Sequence, residues 1–146
     1  MAATEYVNLC ADGIRPAVNR DAVTLPKRRV VSLVVNPAGA IPGEQSVVFP
    51  ANATGAARAF GITLAAMSVG AVGDVAVEGT VAAESDGTAT IAAGDLLTFD
   101  NATGRVKTAA PATGVNAHII GQAETAAAAT AGAVVMVRIA RSVLQG

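Results

Sequence analysis

One histidine, His118, and one cysteine, Cys10, are the natural candidates for a neutral-pH base and a thiol nucleophile. A working pair would need the fold to bring them together from opposite parts of the chain. His118 heads an apolar run, where a surface or structural role fits better. Cys10 reads as a small packing residue. No serine elbow of the form Gly-x-Ser-x-Gly is present, because Ala66-Met67-Ser68-Val69-Gly70 lacks its first glycine. The best carboxylate grouping, Glu84 with Asp86, carries the local signs of a turn. Metal sites need clusters of His, Cys or carboxylate, and phosphate sites need a glycine-rich loop before a helix; neither pattern occurs. The expectation is a protein with no catalytic residue, no metal, no cofactor and no small-molecule substrate.

Other classes can be set aside on similar grounds. Net charge is −1, and the basic residues are not interleaved with aromatics, so neither a basic field nor a stacking platform points to nucleic acid. The N-terminus, Met1-Ala-Ala-Thr-Glu-Tyr6, has neither the basic nor the apolar region of a signal peptide. The longest uncharged apolar-rich run, residues 59–73, falls short of the ~20 residues a spanning helix needs. The single cysteine fits a reducing compartment. These features predict synthesis in the cytoplasm and no membrane association. The Asn-Ala-Thr triplets at Asn52 and Asn101 then read as turn chemistry.

The composition bears on partners. Only 14% of the 146 residues are charged, whereas a small soluble domain usually carries ~25–35% charged residues on its surface. Part of this exterior is therefore expected to be covered, by self-association or by docking. Aromatics are Tyr6, Phe49, Phe60 and Phe99 alone, so the core must be built from Val, Ile, Leu and Ala.

The elements are short strands between turn signals. Val30–Val35 is a β-branched run closed by Asn36-Pro37-Ala38-Gly39, and Ser46–Phe49 ends at Pro50. Ala59–Leu64 follows. Asp74–Val81 alternates with period two, and Asp86-Gly87 favours a tight hairpin turn. Asp95–Thr108 reads as a β-hairpin, and His118–Ala123 and Ala133–Ile139 as the last strands. The alanine-rich stretch between those two strands has helix propensity but no amphipathic face, so it is expected to be a loop. The C-terminal residues 140–146 carry no signal.

The first 29 residues differ. They hold five of the ten basic side chains, with Pro16 and Pro26 and little periodicity. Arg15–Arg29 reads as an extended arm, while Tyr6–Leu9 fits an arm or a closing strand equally well. The whole is expected to be all-β: a small β-barrel or β-tulip-like sandwich over residues 30–146, preceded by an extended N-terminal arm over 1–29.

The order of these pieces carries a resemblance. Gly61-Ile62-Thr63-Leu64, Gly73–Gly79, Ala93–Asp100 with Gly104-Arg105-Val106, Ile120–Ala123 and Gly132–Ile139 together resemble the capsid decoration, or cement, proteins of tailed bacteriophages. The resemblance covers a little over half of the chain. It implies a structural virion protein on the outer capsid surface, a homotrimer seated where major capsid proteins meet, and no catalytic residue. The long basic front departs from the family pattern, which bears on how the protein attaches. Tyr6, Arg15, Arg20, Lys27, Arg28 and Arg29 are the residues expected to contact the shell or a neighbouring subunit. The alternative is a head-fibre or adhesin-like module that binds host glycans, which would favour exposed aromatics. A small-ligand barrel would require a lined pocket.

Overall fold

Val30 and Val31 are consecutive residues of one strand, yet both are fully buried, each in a different apolar cluster. Side chains of a strand alternate in direction, so a strand buried on both faces must lie between two layers. That is the position of β2 (Val30–Leu33) in the computed structural model, which describes residues 13–35 and 37–146. On one side a barrel closes in the order β1 (Ile14–Asn19), β3 (Ser46–Val48), β2, β4 (Gly61–Thr63) and β5 (Val72–Ala76), with β5 returning to β1. All its pairings are antiparallel except β1 with β3. Ala17, Val31, Val47 and Val75 fill the interior, with Leu25 and Met67.

On the other side lies a five-stranded antiparallel sheet, whose spatial order is β6 (Thr80–Glu84), β10 (Val134–Gln145), β9 (Asn116–Ala123), β7 (Leu96–Phe99) and β8 (Val106–Thr108). Leu97, Phe99, Ile120, Val135 and Val137 face inward and meet Val30 and Ile62 from the barrel wall. A parallel bridge from Ser85 to Val106 draws the two edges of this sheet together, with the Asp86 amide donating to the Val106 carbonyl at 2.9 Å. The all-β barrel expected from the turn spacing is therefore present, with a second curled sheet beside it.

The two layers are tied by polar contacts as well. Arg29 Nη2 lies 2.8 Å from Glu84 Oε2, with Arg105 Nε at 3.8 Å from the same oxygen. The Val30 amide donates to the Gly104 carbonyl at 2.8 Å. Gly104 has φ +67, and a side chain there would collide with that same Val30 backbone, so only glycine suits the junction.

Several expectations are corrected. Residues 13–29 are not an arm: β1 pairs with β5 from Ile14↔Ala76 to Val18↔Val72, and with β3 on its other side. The signal was weak because only Ala17 and Asn19 of this strand are fully buried. The Asn19 amide nitrogen donates to the Val23 and Met67 carbonyls, and its oxygen accepts from the Asp21 amide, so a polar residue is satisfied inside. The boundary expected after residue 29 thus falls within the barrel. Residues 1–12, with Tyr6 and Cys10, lie outside the described residues.

The single strand expected over Asp74–Val81 is broken. Gly79, at φ +82, separates β5 from β6 and sends the chain from one layer to the other. Asp86-Gly87 does form a turn, with Asp86 Oδ1 accepting from the Thr88 amide at 2.9 Å, but β6 and β7 do not pair with each other. The alanine-rich stretch is a loop, as expected. It is anchored by buried Ala127, which forms a bridge with Ile91.

Candidate docking surface

The basic side chains singled out in the sequence do not converge. Arg20 is engaged internally: its Nε and Nη2 each lie 2.7 Å from a Glu44 carboxylate oxygen, and Nη2 also donates to the Gly39 carbonyl at 2.9 Å. Arg29 is only 8% exposed and faces Glu84. Its guanidinium is shifted below the ordinary arginine value by burial, an effect that the nearby Glu84 charge opposes. Arg28 adopts a left-handed backbone, φ +62. Its amide donates to the Thr63 carbonyl at 2.8 Å, and its own carbonyl accepts from the Glu84 amide at 3.2 Å. The segment Lys27-Arg28-Arg29 is therefore a tight connection between layers, and of the three side chains only Lys27 is exposed. Tyr6 lies outside the described residues.

The Arg20–Glu44 pair gives stability a pH dependence. The Glu44 carboxyl is held at about 2 instead of its usual 4.5, first by the Arg20 guanidinium and then by the Ser46 hydroxyl. A folded-state value below the unfolded one stabilises the fold fully above the unfolded value, and this is lost as pH falls through the folded one. Stability supplied by Glu44 is thus intact above pH 4.5 and declines toward pH 2. Melting curves between pH 6 and pH 2 are expected to fall more steeply for the parent than for Arg20→Gln. Parallel curves would contradict this assignment.

Arg15 is exposed at the start of β1 and lies on a different feature. Four adjoining open grooves run along the side where the barrel mouth meets the β9–β10 hairpin. The first, about 430 Å³, lies between Arg58-Ala59 and the residues His118, Arg141 and Val143. The second shares Arg58 and Arg141 and adds Leu33, Val35 and Phe60. The third, at the barrel mouth, joins Arg141, Leu33 and Phe60 to Arg15, Val77 and Glu78. The fourth continues from Arg15 to Ile41 and Val72. Shared residues make this one continuous surface.

Its chemistry is apolar with positive charge. Val35, Ile41 and Val72 are each about two-thirds exposed (67%, 69% and 66%), far more than large aliphatic side chains usually are. Arg15, Arg58 and Arg141 supply the cations, whereas Glu44 and Glu78 are the carboxylates, the former already held by Arg20. Among the described residues Arg58 and Arg141 have no ion-pair partner. Arg141 is placed by a bulge in β10. Ile139 pairs with Gly121 but Ser142 pairs with Ile119, so β10 carries one extra residue around Ala140-Arg141. The displaced guanidinium then reaches the Phe60 carbonyl at 3.1 Å.

Sequence reasoning missed Arg58 and Arg141. Arg58 was open to discovery, because it is the sole charge between Glu44 and Asp74. Arg141 was not, because its place depends on a bulge that leaves no mark in the alternation. His118 sits in the same groove as a neighbour of Val143, its register partner. Among the described residues no group of three or more His, Cys, Asp or Glu could hold a metal. The surface is suited to docking a macromolecule, not to enclosing a small ligand.

The phage cement protein family matches residues 25–139. The chain belongs to that family. Membership makes this cement protein a structural component of a phage virion, and the match spans β2 to β9 and the first half of β10. Among solved structures, the fold is similar to the N base of the head fibre protein gp8.5 of bacteriophage phi29, with a TM-score of 0.57 and 14% identity. The alignment covers 91% of this chain and 99% of that one, and at such identity it speaks to fold alone. Comparison with curated proteins finds no match.

Proposed function

We propose that this cement protein sits on the outer surface of the phage head as a homotrimer and bridges adjacent major capsid proteins, with neither catalysis nor cofactor. The observation that carries the reading is the family match over residues 25–139. The exterior agrees with it: the chain is poor in charge, and exposed Leu33, Val35, Ile41, Val72 and Val143 share one continuous surface with two arginines that have no ion-pair partner among the described residues. Bridging is a mechanical task. Each contact can be modest, because a trimer held at three points gains from effective concentration. Residues 1–12 would span at most ~43 Å if fully extended, and laid along a capsid strand they would add main-chain hydrogen bonds to a sheet edge.

A glycan-binding head-fibre module is less well supported. Stacking on sugars needs exposed aromatic faces, and among the described residues Phe60 and Phe99 are buried while Phe49 is half-buried. The test is saturable co-sedimentation with expanded heads that lack this protein, combined with sedimentation equilibrium of the free protein. A trimer that saturates the heads is the expected result. A deletion of residues 2–12 isolates the contribution of that segment without removing β1.

A further inference from the structure

Resting on the reading above, we propose that the groove between the 54–60 loop and the β9–β10 hairpin takes an acidic, extended segment of the capsid partner. Its carboxylates would meet Arg58 and Arg141, and its apolar side chains would lie against Leu33, Val35 and Val143. Three observations select this occupant.

The first is charge. Arg58 and Arg141 line the same groove, and neither has an ion-pair partner among the described residues. The protein as a whole is slightly acidic, so this local excess of cations is a feature of the groove and not of the chain. Guanidinium groups bind carboxylates through paired donors and also stack on apolar or planar groups, which suits a mixed acidic and apolar partner.

The second is the apolar lining. Leu33, Val35 and Val143 are 45%, 67% and 53% exposed, and all three border the cations. Nucleic acid would be poorly served here, because the surface offers few cations and no exposed aromatic face among the described residues.

The third is the open edge. The first half of β10, Val134–Arg138, is paired on both sides, by β6 and by β9. Beyond the bulge, Ser142–Gln145 pairs with β9, and no described strand lies on its other side. An extended segment could add there through main-chain hydrogen bonds, with side chains read by the groove.

The test uses the full chain and expanded heads lacking this protein. Arg58→Glu and the double variant Arg58→Glu/Arg141→Glu are compared with the parent for head binding, melting temperature and oligomeric state. Arg58 makes no described hydrogen bond or ion pair, so the single variant remains informative if loss of the Arg141 contact to Phe60 perturbs folding. Head affinity is expected to fall roughly 30-fold or more for the double variant, with melting and oligomer unchanged and with a weaker salt dependence than the parent. Variants that fold and bind heads like the parent would overturn the inference and leave the cement reading intact. Failure of the parent itself to bind would overturn the cement reading. Loss of the oligomer in the variants would assign the groove to a second copy of this chain. Parent retention by a duplex DNA oligonucleotide, lost in the variants, would assign it to nucleic acid. Either assignment overturns the proposal.

Discussion

Gly121→Ala is expected to destabilise the protein by about 3 kcal/mol, a loss visible as a melting temperature lower by roughly 10 °C. Gly121 lies in the middle of β9, paired with Ile139 of β10 on one side and with Leu97 of β7 on the other. A Cβ built there collides with the Arg138 carbonyl and crowds the Ile139 backbone. Backbone cannot rotate out of the way as a side chain can, so the strands must separate. Gly121 is not in the left-handed region, and its cost is therefore one of space alone. Gly70→Ala makes the contrast. That residue has φ +75 with nothing within 4 Å of an added Cβ, so its penalty is backbone strain of about 1 kcal/mol. Thermal and urea denaturation of the two variants separate the mechanisms. Equal, small losses would contradict the β7–β9–β10 packing.

The second large effect is expected at the tie between the layers. Arg29→Ala should cost about 3 kcal/mol, because it leaves the Glu84 carboxylate, 16% exposed, with Arg105 at 3.8 Å as its remaining counter-charge. The loss arises from stranding a desolvated ion more than from the worth of the pair. Arg29→Met combined with Glu84→Gln should therefore recover much of the stability lost by Arg29→Met alone. A double-mutant cycle reads that coupling directly. Head binding per folded molecule should be unchanged in Arg29→Met, since this side chain is 8% exposed and faces inward. A cycle with no coupling would contradict the tie.

Legibility in the sequence followed local chemistry. The Asp95–Thr108 hairpin was readable because its turn is determined by its own residues: Asp100 Oδ1 accepts from the Ala102 and Thr103 amides, and Gly104 follows in the left-handed region. The continuous apolar run at Val30–Val31 gave the strand but not the reason for its double burial, which needs a layer on each side. β1 was hidden because Arg15 and Pro16 are both exposed and a polar Asn19 fills a buried position, which leaves no apolar alternation to read. Its register with β5, about sixty residues downstream, is a tertiary fact with no local trace.

The docking surface was harder to read for a related reason. Basic residues clustered in sequence at Lys27-Arg28-Arg29 and drew attention, yet the fold spends Arg28 backbone and Arg29 side chain on joining layers. The cations that line the groove, Arg58 and Arg141, are more than eighty residues apart and meet only because a bulge turns one toward the loop that holds the other. A chain with so few charges leaves aliphatic side chains outside, and Leu33, Val35 and Val143 among them lie beside those arginines.

Whether this cement protein bridges capsid subunits and so strengthens the shell is read from the temperature at which expanded heads rupture. Heads lacking the protein would be titrated with it, with occupancy read by sedimentation and rupture by release of packaged DNA on heating. Bridging requires a rupture temperature that rises with occupancy and levels off at saturation. Full occupancy with an unchanged rupture temperature would contradict bridging and leave a protein that decorates the shell without reinforcing it.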